Sequence, residues 1–88
     1  MAYTIESVSH ITHIPRHTIA VYCRHRLVSP VVEPQIGGWF FDDEAIRRLR
    51  RIDHLRTVHG ASLGAIGLIF ELMRQVEDLQ GRLRFLTL

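Results

Sequence analysis

Hydrophobic positions at the start of the chain recur at helical spacing. Ile5, Val8 and Ile11 lie three residues apart, which predicts a short helix over residues 5–12 with one apolar face. Thr4 stands just before this run, where a threonine side chain caps the first free N–H groups of a helix. The pattern therefore predicts that a helix begins at Ile5.

A second short helix is predicted directly after the first. Pro15 is expected to open it, because the first helical position needs no N–H donor. The helix should run to about Arg24, with Ile19, Tyr22 and Cys23 toward the core. Two short helices joined by a brief turn predict a helix-turn-helix unit.

The middle of the chain has the pattern of a β-hairpin. Residues 27–34 include three β-branched valines and are interrupted by Pro30 and Pro34, which is typical of an edge strand or extended arm. Residues 35–38 end in two glycines and predict a turn, and residues 39–41 are a strand of three aromatics. Such a hairpin is the wing of a winged helix-turn-helix protein.

Two further helices complete the predicted fold. Asp42 or Asp43 is expected to cap the third helix, and Gly60 stands where a helix ends. Apolar residues keep i,i+3 spacing through that helix: Ile46, Leu49, Ile52 and Leu55. Ser62 suits the cap of a last helix. The fold class is therefore mainly α, with a winged helix-turn-helix, a small β-hairpin and a C-terminal helix.

The last helix carries an apolar seam whose positions alternate in steps of three and four. Its members are Ile69, Leu72, Val76, Leu79, Leu83 and Leu86. This heptad pattern predicts packing against another helix. The seam could pair with its twin in a homodimer, fold back on the earlier helices or bind a helix of another protein. We expect dimerisation after Met73, and we divide the chain into a winged helix-turn-helix domain (residues 1–68) and a dimerisation or partner-binding helix (residues 69–88).

Composition limits the class of protein. The chain has 88 residues, 47% hydrophobic and 23% charged, which is ordinary for one small globular domain. The net charge of +2 is low for a nucleic-acid binder, although all eleven basic residues are arginine. The single cysteine excludes an internal disulfide and favours a cytoplasmic location. The near-apolar run over residues 63–70 is too short for a membrane span, so we expect no membrane partner.

The second helix offers candidate contacts for DNA. They are Arg16, His17, Tyr22, Arg24 and Arg26. Arginine reaches guanine or phosphate, so this could be a recognition helix, and the alternative is a solvated face. The predicted wing opposes DNA binding, because residues 28–41 contain no basic side chain to meet phosphates.

The aromatic strand has two interpretations. Trp39 is expected to pack on the third helix, because aromatics supply much of a small core. Successive strand residues point to opposite faces, so Phe40 cannot join both Trp39 and Phe41 inside. One of the three should therefore be exposed or covered by a partner.

The third helix carries Arg47, Arg48, Arg50 and Arg51. Asp43 lies four residues before Arg47, which predicts an i,i+4 ion pair on a charged solvent face. The alternative is a patch that binds phosphate or another acidic group.

Cofactors, metals and catalysis are not expected. His10, His13 and His17 have metal-like spacing but straddle a turn, and no second cysteine or carboxylate cluster completes a site. Gly64 and Gly67 are expected to permit close helix packing. Since no nucleophile–base pair has defined spacing, the sequence indicates a non-enzyme.

The sequence resembles the MerR superfamily over nearly its whole length. The resemblance rests on Tyr3-Thr4-Ile5, on Thr18-Ile19, Tyr22 and Leu27, on Gly38 before the aromatic strand, and on Asp43-Glu44 with the arginine-rich third helix. It implies a winged helix-turn-helix dimer that binds promoter DNA. Where the family has DNA-contacting residues, this chain has Ala20, Val21, Cys23, Val32 and Phe40.

The chaperone-modulator branch, the CbpM-like proteins, is the more similar group. Its marks are residues 31–34, residues 39–43, and Leu72-Met73 followed by Val76 and Leu79. This resemblance implies an adaptor that binds the J-domain of a DnaJ-type co-chaperone and inhibits its work with a chaperone partner. A MerR-type transcriptional regulator, such as a heat-shock repressor, is the alternative.

A J-domain meets its chaperone through a basic helix, so a competitor should offer acids beside apolar groups. Two sets of acids are candidates, one near the wing and one on the last helix. The candidate partner-binding residues are Glu33, Trp39, Phe40, Asp42, Asp43, Glu71 and Glu77, with Glu44 and Asp78 beside them.

Overall fold

The two N-terminal helices begin as their caps predict. The structure, a computed structural model, describes residues 1–32 and 37–87. Helix α1 spans Ile5–Thr12, and Thr4 Oγ1 accepts a hydrogen bond from the Ser7 N–H at 3.2 Å. Helix α2 spans Arg16–Arg24. Pro15 is its N-cap rather than its first residue, because its extended backbone lets its carbonyl accept from the N–H groups of Thr18 and Ile19.

A small antiparallel sheet follows. Strands β1 (Tyr3–Thr4), β2 (Val31–Val32) and β3 (Trp39–Phe41) lie in the order β1-β3-β2. Val31 pairs with Phe40 and Val32 with Trp39, so the predicted hairpin is confirmed. Strand β1 was not predicted; it pairs Tyr3 with Phe41 and Thr4 with Phe40, and so joins the wing to the start of α1.

The burial of Trp39 on β3 differs from the expectation. Phe41 is 1% exposed, whereas Trp39 keeps 45% of its surface exposed. The two side chains share one strand face, but only Phe41 lies over the hydrophobic core. The predicted packing of Trp39 in the core was therefore wrong, and Trp39 is the exposed member of the three aromatics.

Helix α3 spans Asp43–Thr57, with Asp42 as its N-cap. The Asp42 Oδ1 accepts from the Ala45 N–H at 2.8 Å. At the other end Gly60 adopts φ +67°, and the following Ala61 N–H donates to the Leu55 carbonyl at 3.0 Å. That left-handed backbone favours glycine and lets the chain reverse into the next helix.

Helix α4 spans Leu63–Thr87, and Ser62 Oγ accepts from the Ala65 N–H at 3.1 Å. Ile66 and Phe70 are buried against the rest of the fold. A Cβ added at Gly67 would lie 3.6 Å from Leu27, so the predicted close packing applies at Gly67, while the position of Gly64 is open. Among the described residues, no helix combines the length and the apolarity that a membrane crossing requires.

One hydrophobic core joins these elements. Its fully buried side chains are Val8, Ile14, Ile19, Tyr22, Phe41, Leu49, Ile52 and Ile66. They come from both helices of the helix-turn-helix and the turn between them, the central strand, α3 and the first part of α4. The fold is a winged helix-turn-helix with a long C-terminal helix, as the sequence predicts.

Candidate functional site

The turn between α1 and α2 is held by side chains of α1. Thr12 Oγ1 donates to the Val8 carbonyl at 2.7 Å and accepts from the Ile14 N–H at 3.3 Å. Ser9 Oγ donates to the Ile14 carbonyl at 2.6 Å, and the Ile14 side chain is buried. These local bonds and the buried Ile14 fix the angle at which α2 is presented to solvent.

The outward face of α2 is basic at its ends and apolar at its centre. Arg16, His17 and Arg24 are exposed, whereas Ala20 and Val21 between them are half-buried. Arg16 forms an ion pair with Glu6 at 3.0 Å, so part of its charge is neutralised within the helix-turn-helix. A backbone hydrogen bond, followed by the contacts with Arg16, lowers the pKa of Glu6.

Tyr22 lies inside the fold and not on the face that α2 presents. Its hydroxyl donates to Asp53 Oδ1 at 3.2 Å and accepts from Arg56 Nη1 at 3.3 Å. Burial raises the pKa of this hydroxyl. The predicted role of Tyr22 in contacting DNA therefore conflicts with its position, since the side chain is fully buried.

The wing is apolar where it meets solvent. Trp39, Phe40 and the two glycines Gly37 and Gly38 line a cavity of about 420 Å³ together with residues 4–6 at the start of α1. The sequence from 28 to 41 contains no basic residue. The wing thus offers an aromatic surface and no cation for a phosphate.

Three of the acids proposed near the wing have partners within the fold. Asp42 caps α3, and Asp43 accepts a hydrogen bond from the Tyr3 hydroxyl at 2.7 Å, which is the main reason that the pKa of Tyr3 is raised. Arg47 pairs with Glu44 at 2.7 Å, so the predicted pair with Asp43 was wrong. Glu33 lies outside the described residues.

The acids on α4 lie near Glu44, one of the acids proposed near the wing. Glu71 pairs with Arg74 at 2.7 Å, and Asp78 lies 3.8 Å from Arg82. Glu77 has no ion pair within the described part of the chain. Glu44, Glu71 and Glu77 line a common cavity, so the structure brings together residues from the two sets that the sequence left separate.

The heptad seam of α4 is largely uncovered. Ile69 is half-buried and packs against the core, but the members beyond it are exposed: Leu72, Val76, Leu79, Leu83 and Leu86. The alternative in which this seam folds back on the earlier helices is therefore not observed. Exposed apolar rows of this size are typical of surfaces that bind other molecules.

Arg48 connects the helix-turn-helix to α4, a role that its position in the sequence does not indicate. Its Nε donates to the Leu27 carbonyl at the corner between α2 and β2, and its guanidinium lies 4.2 Å from the centroid of the Phe70 ring. Five arginines share the third helix, and their spacing alone does not distinguish the one that faces this corner.

No group of three or more metal-ligating side chains comes together in residues 1–32 and 37–87. Cys23 is half-buried, and burial raises the pKa of its thiol, which disfavours the reactive thiolate. Neither feature adds a chemical centre to the surfaces described above.

Comparison with known proteins identifies the domain. Residues 3–72 match the family model described as MerR HTH family regulatory protein, from strand β1 into the first part of α4. Searches of curated proteins and of solved structures returned no match. Because the family model covers most of the chain and the structure has the corresponding helix-turn-helix, the chain belongs to the MerR family of helix-turn-helix regulatory proteins.

Proposed function

We propose that this chain is a non-enzymatic, cytoplasmic regulatory adaptor that binds the J-domain of a DnaJ-type co-chaperone and inhibits it. The identity of the partner is inferred from the resemblance to the CbpM-like branch. The observation that carries the proposal is the wing: Trp39 is 45% exposed on a hairpin without a basic residue. A tryptophan at the surface is typical of protein interfaces, whereas a wing that holds DNA offers arginine or lysine.

Electrostatics supports a basic partner. Glu77 is exposed and unpaired in the described chain, and Glu44 and Glu71 form surface ion pairs with arginines of their own helices. Exposed pairs of this kind contribute only about 0–1 kcal/mol, so a partner's cation can replace the arginine at little cost. The basic helix of a J-domain would find apolar and acidic groups on the same molecule.

The binding experiment uses the protein against an isolated J-domain. Trp39 is the only tryptophan, so intrinsic fluorescence reports directly on the wing. We expect a saturable change in emission, and Trp39→Ala should weaken binding about tenfold or more when measured by calorimetry. Val58→Ala removes part of an exposed apolar side chain at the end of α3, outside the wing and outside residues 69–88, and is the control.

Two results would contradict the adaptor. One is the absence of J-domain binding by the wild-type protein. The other is J-domain affinity that Trp39→Ala leaves unchanged, which would remove the wing from the interface.

DNA binding is the second candidate, and a specific observation favours it. His17, Arg24 and Arg26 are exposed at or next to α2 and have no carboxylate partner within the described residues. In a titration with duplex DNA at two salt concentrations, a regulator should bind with a steep salt dependence. Arg24→Ala should reduce the slope of log K against log salt by about one if Arg24 neutralises a phosphate. Steep, saturable DNA binding without a J-domain signal would replace the adaptor by this function.

Homodimerisation is part of the proposal. Residues 69–88 would form the dimerisation or partner-binding segment, although α4 is continuous across residue 68 and Phe70 still packs against the domain core. The exposed seam from Leu72 to Leu86 is the surface that a second copy would cover.

A further inference from the structure

The C-terminus of α2 closes in a way that usually requires glycine. The Leu27 N–H donates to the Tyr22 carbonyl and the Arg26 N–H to the Cys23 carbonyl, both at 3.0 Å. These two bonds define a Schellman motif in which Arg26 occupies the left-handed position, with φ +59°. A side chain at that position strains the backbone, and such strain is most often retained where the side chain has a role.

Arg26 lines a cavity of about 350 Å³ between this corner, α3 and α4. Arg48 and Arg51 of α3 line the same cavity. None of these three guanidinium groups forms an ion pair with a carboxylate in the described residues. The volume falls in the range of small-ligand sites.

Arg48 is fixed before any ligand arrives. Its Nε is bonded to the Leu27 carbonyl, and its guanidinium plane is held near the Phe70 ring. A side chain held in place by two contacts loses little conformational entropy when it binds a further group. Arg48 also lines the cavity, and its terminal amino groups form no hydrogen bond with another described residue.

The acids of the cavity neutralise only part of this charge. Glu71 is paired with Arg74, and Glu44 is paired with Arg47, which lies outside the cavity. Glu77 is the remaining acid and opposes an anion. Removal of the Glu77 charge should therefore strengthen anion binding, which gives the proposal a prediction of definite sign.

We propose that this cavity binds the oxyanion group of a small ligand, a phosphate or a carboxylate, through Arg26, Arg48 and Arg51. Guanidinium groups bind both kinds of oxyanion with paired hydrogen bonds, and several converging arginines favour them over neutral groups. The site is separate from the exposed Trp39 of the wing. It shares Glu44, Glu71 and Glu77 with the acidic surface proposed for the J-domain, so the anion titrations are made without that partner.

The first probe is inorganic phosphate. Its binding is monitored by NMR of the backbone amides, with chloride added to keep the ionic strength constant. We expect saturable shifts centred on the amides of Arg26 and Leu27. Acetate in a parallel titration separates the two sources, because preference for phosphate over acetate assigns a phosphate group and the reverse assigns a carboxylate.

Arg26→Gly is the decisive variant. Glycine suits the left-handed backbone, so the urea midpoint should rise while phosphate affinity falls about tenfold, the loss expected for a charged hydrogen bond. Arg51→Ala should weaken phosphate binding similarly, and Glu77→Gln should strengthen it. Arg50→Ala, on the same helix but outside the cavity, should leave the affinity unchanged.

The proposal is wrong if neither anion produces saturable shifts. It is equally wrong if Arg26→Gly binds both anions as the wild type does, or if Arg50→Ala weakens binding as much as Arg51→Ala. The last result would mean that the anion responds to the net charge of α3 and not to the cavity.

Discussion

Arg48 and Phe70 join α3 to α4 through a cation–π contact, with the guanidinium carbon 4.2 Å from the ring centroid. The same arginine donates to the Leu27 carbonyl, so one side chain connects the end of the helix-turn-helix to the helix that carries the exposed seam. The wing begins four residues after Leu27, at Val31. Arg48 therefore contributes to the orientation of α4, together with the buried side chains of Ile66 and Phe70.

Arg48→Met should destabilise the protein by about 2 kcal/mol, because it removes a charged hydrogen bond and a cation–π contact while keeping an apolar stem over Phe70. Arg50 is exposed and its side chain has no hydrogen bond or ion pair in the described residues, so Arg50→Met should change stability by less than about 0.5 kcal/mol. Urea unfolding at one fixed protein concentration measures both. Equal stability of the two variants would show that Arg48 contributes nothing to the packing.

Tyr22 should make stability fall at high pH. Its pKa is raised in the fold, mainly by burial, above the ordinary tyrosine value of about 10. As the pH rises past that value, the unfolded chain loses the proton first, so the free energy of unfolding decreases until the folded pKa is reached. Stability from this group is thus complete below about pH 10 and is lost above it.

Tyr22→Phe should remove that part of the decline, at a cost of about 1 kcal/mol at neutral pH for the lost hydrogen bonds. Urea unfolding at a series of pH values from neutral to alkaline measures the slope. Tyr3→Phe should remove a separate part of the decline, because the hydrogen bond from its hydroxyl to Asp43 also raises the pKa of Tyr3. If the free energy of unfolding of Tyr22→Phe falls with alkaline pH as steeply as that of the wild type, Tyr22 is not the group responsible for the decline.

Local signals in the sequence were enough to place the helices. Thr4, Asp42 and Ser62 cap α1, α3 and α4 as predicted, because a cap depends on a donor only three residues away. The apolar spacing of α3 likewise identified Ile46 and Leu49 as core. Such features are determined within one or two turns of the chain.

These local signals do not predict contacts between residues that are distant in the sequence. Asp43 bonds to Tyr3, forty positions away, and Arg47 pairs with the nearer Glu44 instead. Strand alternation established that Trp39 and Phe41 share a face, but the extent of the core decides which of them is covered. The left-handed Arg26 and the cavity that it lines also depend on how α3 and α4 meet, which no local pattern encodes.

Two glycine substitutions should have opposite signs. Gly60 has φ +67°, so Gly60→Ala forces a Cβ into the left-handed region and should destabilise by about 1–2 kcal/mol. Gly64 lies in the first turns of α4 with open space around it, so Gly64→Ala should stabilise by about 0.5–1 kcal/mol through helix propensity. Thermal unfolding of the two variants checks the signs. A loss of stability in both would mean that Gly64 also serves a packing contact.

The seam of α4 gives the last prediction. Leu79 is 58% exposed and stands in the middle of the exposed apolar row from Leu72 to Leu86. If a second copy covers this row, Leu79→Asp buries a carboxylate in the interface and should convert the dimer to a monomer, because burying an unpaired charge is costly. Light scattering over a range of protein concentrations measures the mass directly. Arg84→Glu changes charge on the same helix outside the seam and should leave the dimer intact. A Leu79→Asp protein that remains dimeric would place the interface elsewhere, whereas dissociation of both variants would show that the net charge of α4, and not the apolar row, controls assembly.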